Sequence, residues 1–207
     1  MPDYRFLFID LETTGHDTVR NIHGVLMPYH EIIEVGAVLT TQKFEVLGTF
    51  ERKVLPTYPE RCLPNLINNY QERARNGEWD FAVSIQTAIQ ELLVFSDSFS
   101  GPKALIGQNV AFDWSFLLIA LAQCRISSDD LMALHNIHYG KIDTRSMSIQ
   151  ELWQTEIPFD PNEYSLRKLT LSQKLGIPDE LFPHTALNGA MKCYEVFKKL
   201  REMRTMR

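Results

Sequence analysis

The chain has 207 residues, of which 44% are hydrophobic and 23% charged, and this composition excludes a disordered protein. Its 21 basic and 26 acidic residues give a formal net charge of −5, which argues against a protein that holds long nucleic acid by bulk electrostatic attraction. An enzyme that meets nucleic acid at one cleft stays compatible with that charge. We expect a single domain over residues 1–207, with its core at about 4–200 and a basic helix end at 198–207.

The cysteines and the apolar runs bear on where the protein works. Cys62, Cys124 and Cys193 are odd in number and widely spaced, which argues against a disulfide framework and favours a reducing compartment. The first residues lack the apolar stretch of a signal peptide. The longest apolar run, residues 116–122, falls short of the roughly 20 residues that span a bilayer. We therefore expect a cytoplasmic protein with no membrane partner.

The hydrophobic pattern predicts strands first and then alternating helices and strands. The predicted strands lie at 4–9, 32–40, 44–55, 104–107 and 141–143. The predicted helices lie at 81–95, 113–124, 144–153, 165–175 and 185–204. A short link at 41–43 predicts an antiparallel hairpin, and residues 13–30, which lack periodicity, are expected to form a loop. This order indicates one α/β domain with a mixed sheet.

Two carboxylates end the first predicted strand. Asp10 and Glu12 are two residues apart, so they project from the same face of a strand. Like charges side by side repel, and they are tolerated when they are solvated or share a cation. An acidic strand end that simply enters a turn is the alternative interpretation.

Two further residues carry chemistry only in combination with this pair. Asp113 follows Asn109 where a predicted strand passes into a helix, a place where aspartate commonly caps the helix. His184 opens the last predicted helix, where a single histidine is usually structural. Either residue taken alone therefore favours a structural role.

Together, the three segments resemble the motifs of the DnaQ-like DEDDh family of 3′→5′ exonucleases. The motifs match 8–15, 105–117 and 184–190, with softer similarity at 32–38, 143–144 and 165–169. The resemblance covers about residues 4–200. It implies a ribonuclease H-like α/β fold, with a mixed five-stranded sheet flanked by helices.

The resemblance also implies an activity. Members of the family hydrolyse phosphodiester bonds at the 3′ end of DNA or RNA with two divalent cations, Mg²⁺ or Mn²⁺. Asp10, Glu12 and Asp113 map onto the metal ligands. His184 maps onto the general base, a role that suits an imidazole because it changes charge near neutral pH.

Substrate contacts follow from the same resemblance. Leu11 and Thr13 are expected to contact the terminal nucleotide, and Asn109 and Phe112 to shape the cleft. The expected partner is a single-stranded 3′ end, and service inside a larger nucleic-acid-processing complex is compatible with the acidic net charge. DNA and RNA stay open, because a contact to a 2′-hydroxyl cannot be deduced from sequence.

The chain departs from the family pattern at Gly189, where the motif has an aspartate five residues after the histidine. Glycine costs about 1 kcal/mol against alanine inside a helix, so helix preference does not explain it. Asn188 is neutral, Glu195 is expected to face elsewhere, and Asp179 and Glu180 could reach the site only through an unusual turn.

Three explanations of Gly189 stay open. The protein naturally lacks this ligand and is weak or inactive, the remaining acids suffice to hold the ions, or the chain was deliberately inactivated. We therefore expect an exonuclease impaired by the missing fourth carboxylate. A catalytically weak or inactive protein that binds nucleic acid or acts as a scaffold is the alternative.

Other polar residues carry weaker hypotheses. A metal site at His135 and His138 is an alternative to a solvated loop, and the histidines at 16, 23 and 30 are expected to be ordinary loop residues. The basic C-terminal residues could touch phosphates, although charges favourable to a helix dipole are the preferred interpretation. These residues are Lys198, Lys199, Arg201, Arg204 and Arg207.

Overall fold

The computed structural model describes residues 3–153 and 173–205. Its strands are β1 (Arg5–Thr13), β2 (Val19–Ile22), β3 (Val25–Pro28), β4 (Ile32–Thr41), β5 (Val46–Lys53), β6 (Lys103–Gly107) and β7 (Ile137–Asp143). Its helices are α1 (Tyr70–Arg75), α2 (Ile85–Asp97), α3 (Val110–Gln123), α4 (Ser128–His135), α5 (Thr144–Trp153) and α6 (Ala186–Thr205), with a 3₁₀ turn at Pro59–Arg61.

Five strands form one mixed sheet in the order β5-β4-β1-β6-β7. The pairs β5–β4 and β4–β1 are antiparallel, whereas β1–β6 and β6–β7 are parallel. The hairpin predicted across residues 41–43 is confirmed, and so is the mixed five-stranded sheet. β1 and β4 lie at its centre and are almost entirely buried.

Alternation along the central strands divides the core into two layers. Leu7, Ile9 and Leu11 face α2 and α3, where they pack with Phe116 and Leu117. The even-numbered residues face the other side, so that Phe8 packs with three residues of α6, Ala190, Cys193 and Phe197. The side chains of Asp10 and Glu12 belong to this even-numbered face, the side covered by α6.

The prediction of a loop over residues 13–30 is wrong in its middle, where β2 and β3 form a small antiparallel hairpin. The chain turns at His23 and Gly24, both with positive φ. All four residues of β3 are exposed, so no alternation of buried and exposed positions exists to announce a strand. Composition alone cannot reveal such a hairpin.

Other boundaries shift by a few residues. α3 begins at Val110 rather than at residue 113, and β7 begins at Ile137 rather than at 141. α1 and α4, which were not predicted, are only six and eight residues long. The predicted helix over 165–175 lies outside the described residues, except for its helical end at 173–175.

His135, His138 and the basic helix end make ordinary contacts within the protein. His135 ends α4 and its Nδ1 lies 2.7 Å from Asp97 Oδ2, whereas His138 Nδ1 accepts a hydrogen bond from the Gly140 amide. These two histidines therefore do not point at one cation, and neither lies in the predicted loop. In the basic helix end, Arg204 binds Glu151 and Gln150 of α5.

Among the described residues, no single helix has the length and apolar character that crossing a membrane requires. The consecutive helices α3 and α4 reach those values only when taken together, and their axes are bent by 82°.

Candidate active site

The carboxyl end of β1 extends beyond its parallel neighbour. Pairing between β1 and β6 stops at Phe8 and Ile106, and β6 itself ends one residue later. The Leu11 amide, past that end, instead donates to Asp113 Oδ1 at 2.9 Å. Asp113 therefore lies beside the residue that separates Asp10 from Glu12.

All three carboxylates are nearly closed off from solvent. Asp10, Glu12 and Asp113 are 7%, 8% and 4% exposed. Buried like charges near one another raise each other's free energy unless a cation or a shared proton offsets them. Two of the three come from one strand and the third from the first turn of α3, so the sheet and the helix together bring the acids to one place.

The donor set fits a hard divalent cation in type, because Mg²⁺ and Mn²⁺ prefer carboxylate oxygens. Within residues 3–153 and 173–205, however, no group of three or more His, Cys, Asp or Glu side chains is arranged to hold a metal ion as it stands. The acids therefore supply the right atoms but not a closed ligand cage.

The start of α6 rests directly on β4 beside these acids. Gly36 pairs with Asp10, and a β-carbon added at Gly36 would lie 2.1 Å from the carbonyl carbon of Ala186. The Ala186 amide donates to Glu34 Oε2 at 3.1 Å, and Glu34 pairs with Glu12. The segment 184–190 is thereby brought next to both carboxylates of β1.

A buried ion pair holds this arrangement. Arg73 and Glu34 are 5% and 0% exposed, and Arg73 Nη2 lies 2.7 Å from Glu34 Oε1. The second terminal nitrogen of Arg73 donates to the carbonyls of Asn68 at 3.1 Å and of His184 at 3.3 Å. Burial acts to lower the pKa of Arg73, but Glu78 and Glu34 outweigh it and hold the pKa above its ordinary value.

His184 lies immediately before the N-cap of α6. Its amide donates to the Ile67 carbonyl at 3.4 Å, and its side chain is 22% exposed. Nδ1 of the imidazole lies 3.3 Å from Oε1 of Glu180, whose side chain is only 4% exposed. The loop at 180–184 therefore brings Glu180 to the imidazole of His184, not to residue 189.

Gly189 lies in the first turn of α6. Its amide donates to the Thr185 carbonyl at 3.0 Å, and the Thr185 hydroxyl accepts from the Asn188 amide at 3.3 Å. The residue is buried and helical. The position at which the resemblance implies a fourth carboxylate thus lies within the helix and holds no acid.

Two of the four expected substrate contacts lie on β1, on the face toward α3. Leu11 is 5% exposed and packs within the core, so its side chain offers little surface. The Thr13 hydroxyl donates to the Gly15 carbonyl at 2.7 Å. Both side chains are therefore buried, and neither offers much surface to a nucleotide.

The other two lie at the start of α3. Asn109 is exposed, and its backbone is left-handed with a φ of 61°. The backbone N–H of Asn109 donates to Asp143 Oδ1 at 2.8 Å. The half-buried ring of Phe112 lies 5.0 Å from that of Phe116 and 6.4 Å from the imidazole of His16. Phe112 is therefore an aromatic surface next to Asp113.

His30 is buried beneath the loop that follows β1. Its ring occupies the space above Gly15, where an added β-carbon would lie 2.5 Å from Nε2, and its Nδ1 accepts from the Asp17 amide at 3.0 Å. Burial lowers the pKa of His30 below its ordinary value, although the charge of Asp17 acts in the opposite direction. His30 is thus a structural residue rather than an ordinary loop histidine.

We expect His30 to make folding stability depend on pH. Below about pH 6.5, the ordinary pKa of histidine, His30 is protonated in the unfolded chain but still neutral in the folded one. The free energy of unfolding therefore decreases as the pH falls from about 6.5 toward the lower pKa of the folded state. Denaturation between pH 5 and 8 should show a shallower loss in His30→Gln, which keeps an acceptor, than in the parent. His23→Asn, at an exposed turn, should follow the parent curve; an equal change in both variants would contradict this assignment.

Comparison with known proteins decides the family. Residues 7–197 match the family model RNase_T, described as Exonuclease. The chain belongs to this exonuclease family. The resemblance to DEDDh-type exonucleases and the ribonuclease H-like fold are thereby confirmed. No curated protein sequence matches this RNase_T member.

Solved structures agree in fold with this RNase_T member. A 3′-exonuclease that recognises the histone mRNA stem-loop gives a TM-score of 0.65 at 18% identity over 96% of this chain and 64% of its own. Exonuclease I of Methylocaldum szegediense gives a TM-score of 0.72 at 18% identity, over 97% of this chain and 41% of its own. The zinc-bound exonuclease I–ssDNA complex of E. coli gives a TM-score of 0.69 at 19% identity, over 99% of this chain and 42% of its own. The RNase_T chain therefore spans less than two thirds of each.

Proposed function

We propose that this protein is a metal-dependent 3′→5′ exonuclease that hydrolyses phosphodiester bonds at the 3′ end of DNA or RNA, and that the glycine at position 189 impairs it. The observation that carries the proposal is the hydrogen bond from the Leu11 amide to Asp113, which sets a third carboxylate beside Asp10 and Glu12. Membership of an exonuclease family supports the reaction class.

The proposed roles follow from the chemistry of each side chain. Asp10, Glu12 and Asp113 would hold two divalent cations. Bound there, Mg²⁺ or Mn²⁺ would lower the pKa of a water and offset charge on the leaving 3′-oxygen. His184, whose side chain is 22% exposed, would accept the proton of the attacking water at Nε2, since Nδ1 faces Glu180.

The substrate proposal rests on the same end of the sheet. Phe112 offers a ring on which a terminal base can stack, and Asn109 offers an exposed amide. Thr13 and Leu11 complete the set, with Leu11 the least accessible of the four. Single-stranded DNA and histone mRNA appear with the exonucleases named above, so both nucleic acids stay in the proposal.

The setting of the protein is also proposed. A net charge of −5 gives weak bulk attraction to a long polyanion, which favours short single-stranded ends or a larger complex that supplies the grip. Cys62, Cys124 and Cys193 are all free thiols, which supports a cytoplasmic location.

A protein that binds nucleic acid or acts as a scaffold without efficient turnover is the second candidate. The observation in its favour is Gly189, which leaves one motif position without its acid. The retained Asp10, Glu12, Asp113 and His184 favour the exonuclease, because a site under no selection is expected to lose more than one residue.

The proposed function is tested by the shortening of 3′-labelled and 5′-labelled single strands of DNA and RNA in Mn²⁺. We expect slow loss of nucleotides from the 3′ end, abolished by a chelator and by Asp113→Asn. The asparagine keeps an oxygen that can accept from the Leu11 amide, so this control removes charge while preserving the local fold.

Two outcomes would contradict the exonuclease. Equal shortening by the parent and Asp113→Asn would assign the activity to a contaminant. Absence of shortening at high protein concentration, combined with metal-insensitive binding of the same strands, would establish the binding protein instead.

A further inference from the structure

We infer that Glu180 is a positioning residue for His184. Its carboxylate fixes the imidazole so that Nδ1 carries the proton and Nε2 is left to act as the base. The inference deepens the proposed function and rests on it for the role of His184, but the placement of Glu180 is a property of the loop itself. Glu180 is a buried acid beside the histidine motif 184–190, whose position 189 holds a glycine in place of an acid.

The geometry brings the two side chains into ion-pair contact. Oε1 of Glu180 lies 3.3 Å from Nδ1 of His184, but without the alignment of a hydrogen bond. Hydrogen bonds of catalytic groups are often long before substrate binds and shorten in the complex. A carboxylate accepts but does not donate, so it selects the tautomer with the proton on Nδ1.

The backbone of His184 is already held on both sides. Its amide contacts the Ile67 carbonyl, and its carbonyl accepts from Arg73. These bonds fix the Cα atom but leave rotation of the imidazole open, since the ring turns about its own side-chain torsions. Glu180 supplies the contact that acts on the ring.

The contact between Glu180 and His184 differs from a surface ion pair because its carboxylate is buried. The Glu180 side chain is 4% exposed, whereas in the pair of His135 with Asp97 the aspartate is 42% exposed. A carboxylate so far removed from water interacts more strongly with a cationic imidazole than a solvated one does. Glu180 is therefore suited to hold the ring of His184 in one orientation, as the acid does in hydrolases with an acid–histidine pair.

The first test determines which nitrogen of His184 carries the proton, and it requires neither a bound metal nor enzymatic activity. Nitrogen-15 chemical shifts of His184, recorded near pH 8.5 in metal-free protein, should show the proton on Nδ1 in the parent. Glu180→Gln, whose amide oxygen still accepts, should keep that tautomer. Glu180→Ala should shift it substantially toward Nε2–H. Asp97→Ala is the matched control and should alter His135 while leaving His184 unchanged.

A parent His184 protonated on Nε2, or a tautomer unchanged in a folded Glu180→Ala protein, would overturn the inference. If Glu180→Ala does not fold, Glu180→Gln decides: an Nε2–H tautomer in the parent still refutes it, and the Nδ1–H tautomer in parent and glutamine variant supports it.

The second test is kinetic and uses Gly189→Asp protein as the background. Removal of a residue that orients a catalytic group typically costs about 10- to 100-fold. Glu180→Ala should therefore lower kcat by about that factor with little change in KM, and Glu180→Gln should lie between it and the parent. An unaltered kcat would overturn the positioning role. Absence of activity from the background itself would instead refute the proposed exonuclease, whereas the tautomer result would stand.

Discussion

Gly189→Asp is expected to raise the rate of 3′ shortening by at least about 100-fold, since a further metal ligand contributes several kcal/mol and each 1.36 kcal/mol is tenfold. Gly189 already lies in the first turn of α6, which Gly36 seats against the sheet. The new carboxylate would thus enter an existing site. The measurement is the initial rate on matched DNA and RNA strands in Mn²⁺, and the faster strand identifies the substrate.

Two variants at the same position separate charge from volume and helix preference. Gly189→Asn has nearly the shape of the aspartate but is neutral, and Gly189→Ala improves helix propensity by about 1 kcal/mol without adding a ligand. Neither should gain much activity. Rates that match across all variants would show that the ions are held by other groups, and complete inactivity in all would favour the binding protein.

Arg73→Met is expected to cost about 3 kcal/mol of the free energy of unfolding, because it removes the nearer of two cations from a buried carboxylate and leaves only Lys53, at 3.3 Å from Glu34 Oε1. Glu34 is fully buried and pairs with Arg73 at 2.7 Å. Arg73 also binds the His184 carbonyl, so the variant should lose the placement of the histidine along with stability. Urea denaturation followed by circular dichroism measures the loss.

A surface pair provides the comparison. Arg52 and Glu91 form an ion pair with side chains 46% and 40% exposed, so Arg52→Met should cost less than about 1 kcal/mol. Adding Glu34→Gln to Arg73→Met should recover part of the stability, because the buried charge disappears while an acceptor for the Ala186 amide stays. Equal losses for Arg52→Met and Arg73→Met would show that the buried pair contributes nothing special.

The sheet was predictable because its strands are short runs of β-branched and aromatic residues that end at acidic or turn residues. Which face of β1 packs against α6 and which against α3 was not predictable, because β1 and β4 are buried on both faces and their letters show no period of two. The β2–β3 hairpin was not predictable because nearly all of its residues are exposed. α1 was not predictable because six residues, of which only Tyr70 and Arg73 are buried, are too few to show a helical period.

The candidate site divides in the same way. Asp10 and Glu12 are two residues apart on one strand, so their shared face could be deduced, and the resemblance supplied Asp113, His184 and the significance of Gly189. Arg73 could not be found, because its partners are distant in sequence. Glu34 and His184 lie 39 and 111 residues from it.

Glu180 is near His184 in sequence, and yet the contact between their side chains could not be predicted. Only three residues separate Glu180 from His184, and the conformation of that loop, which no periodicity specifies, brings the two side chains together. Aspartate or glutamate in a loop before a helix is usually solvated, so burial was the missing information.

Because Gly36 lets the backbone of Ala186 rest directly on β4, the position of residue 189 is set by the main chain and not by side chains that vary readily. Every glycine codon becomes an aspartate or glutamate codon by a change of its second base, so an acid at position 189 is one mutational step from this glycine. Position 36 has no such freedom, since any side chain there would lift α6 off the sheet. Evolution can therefore change the ligand at 189 in either direction for as long as the glycine at 36 is kept.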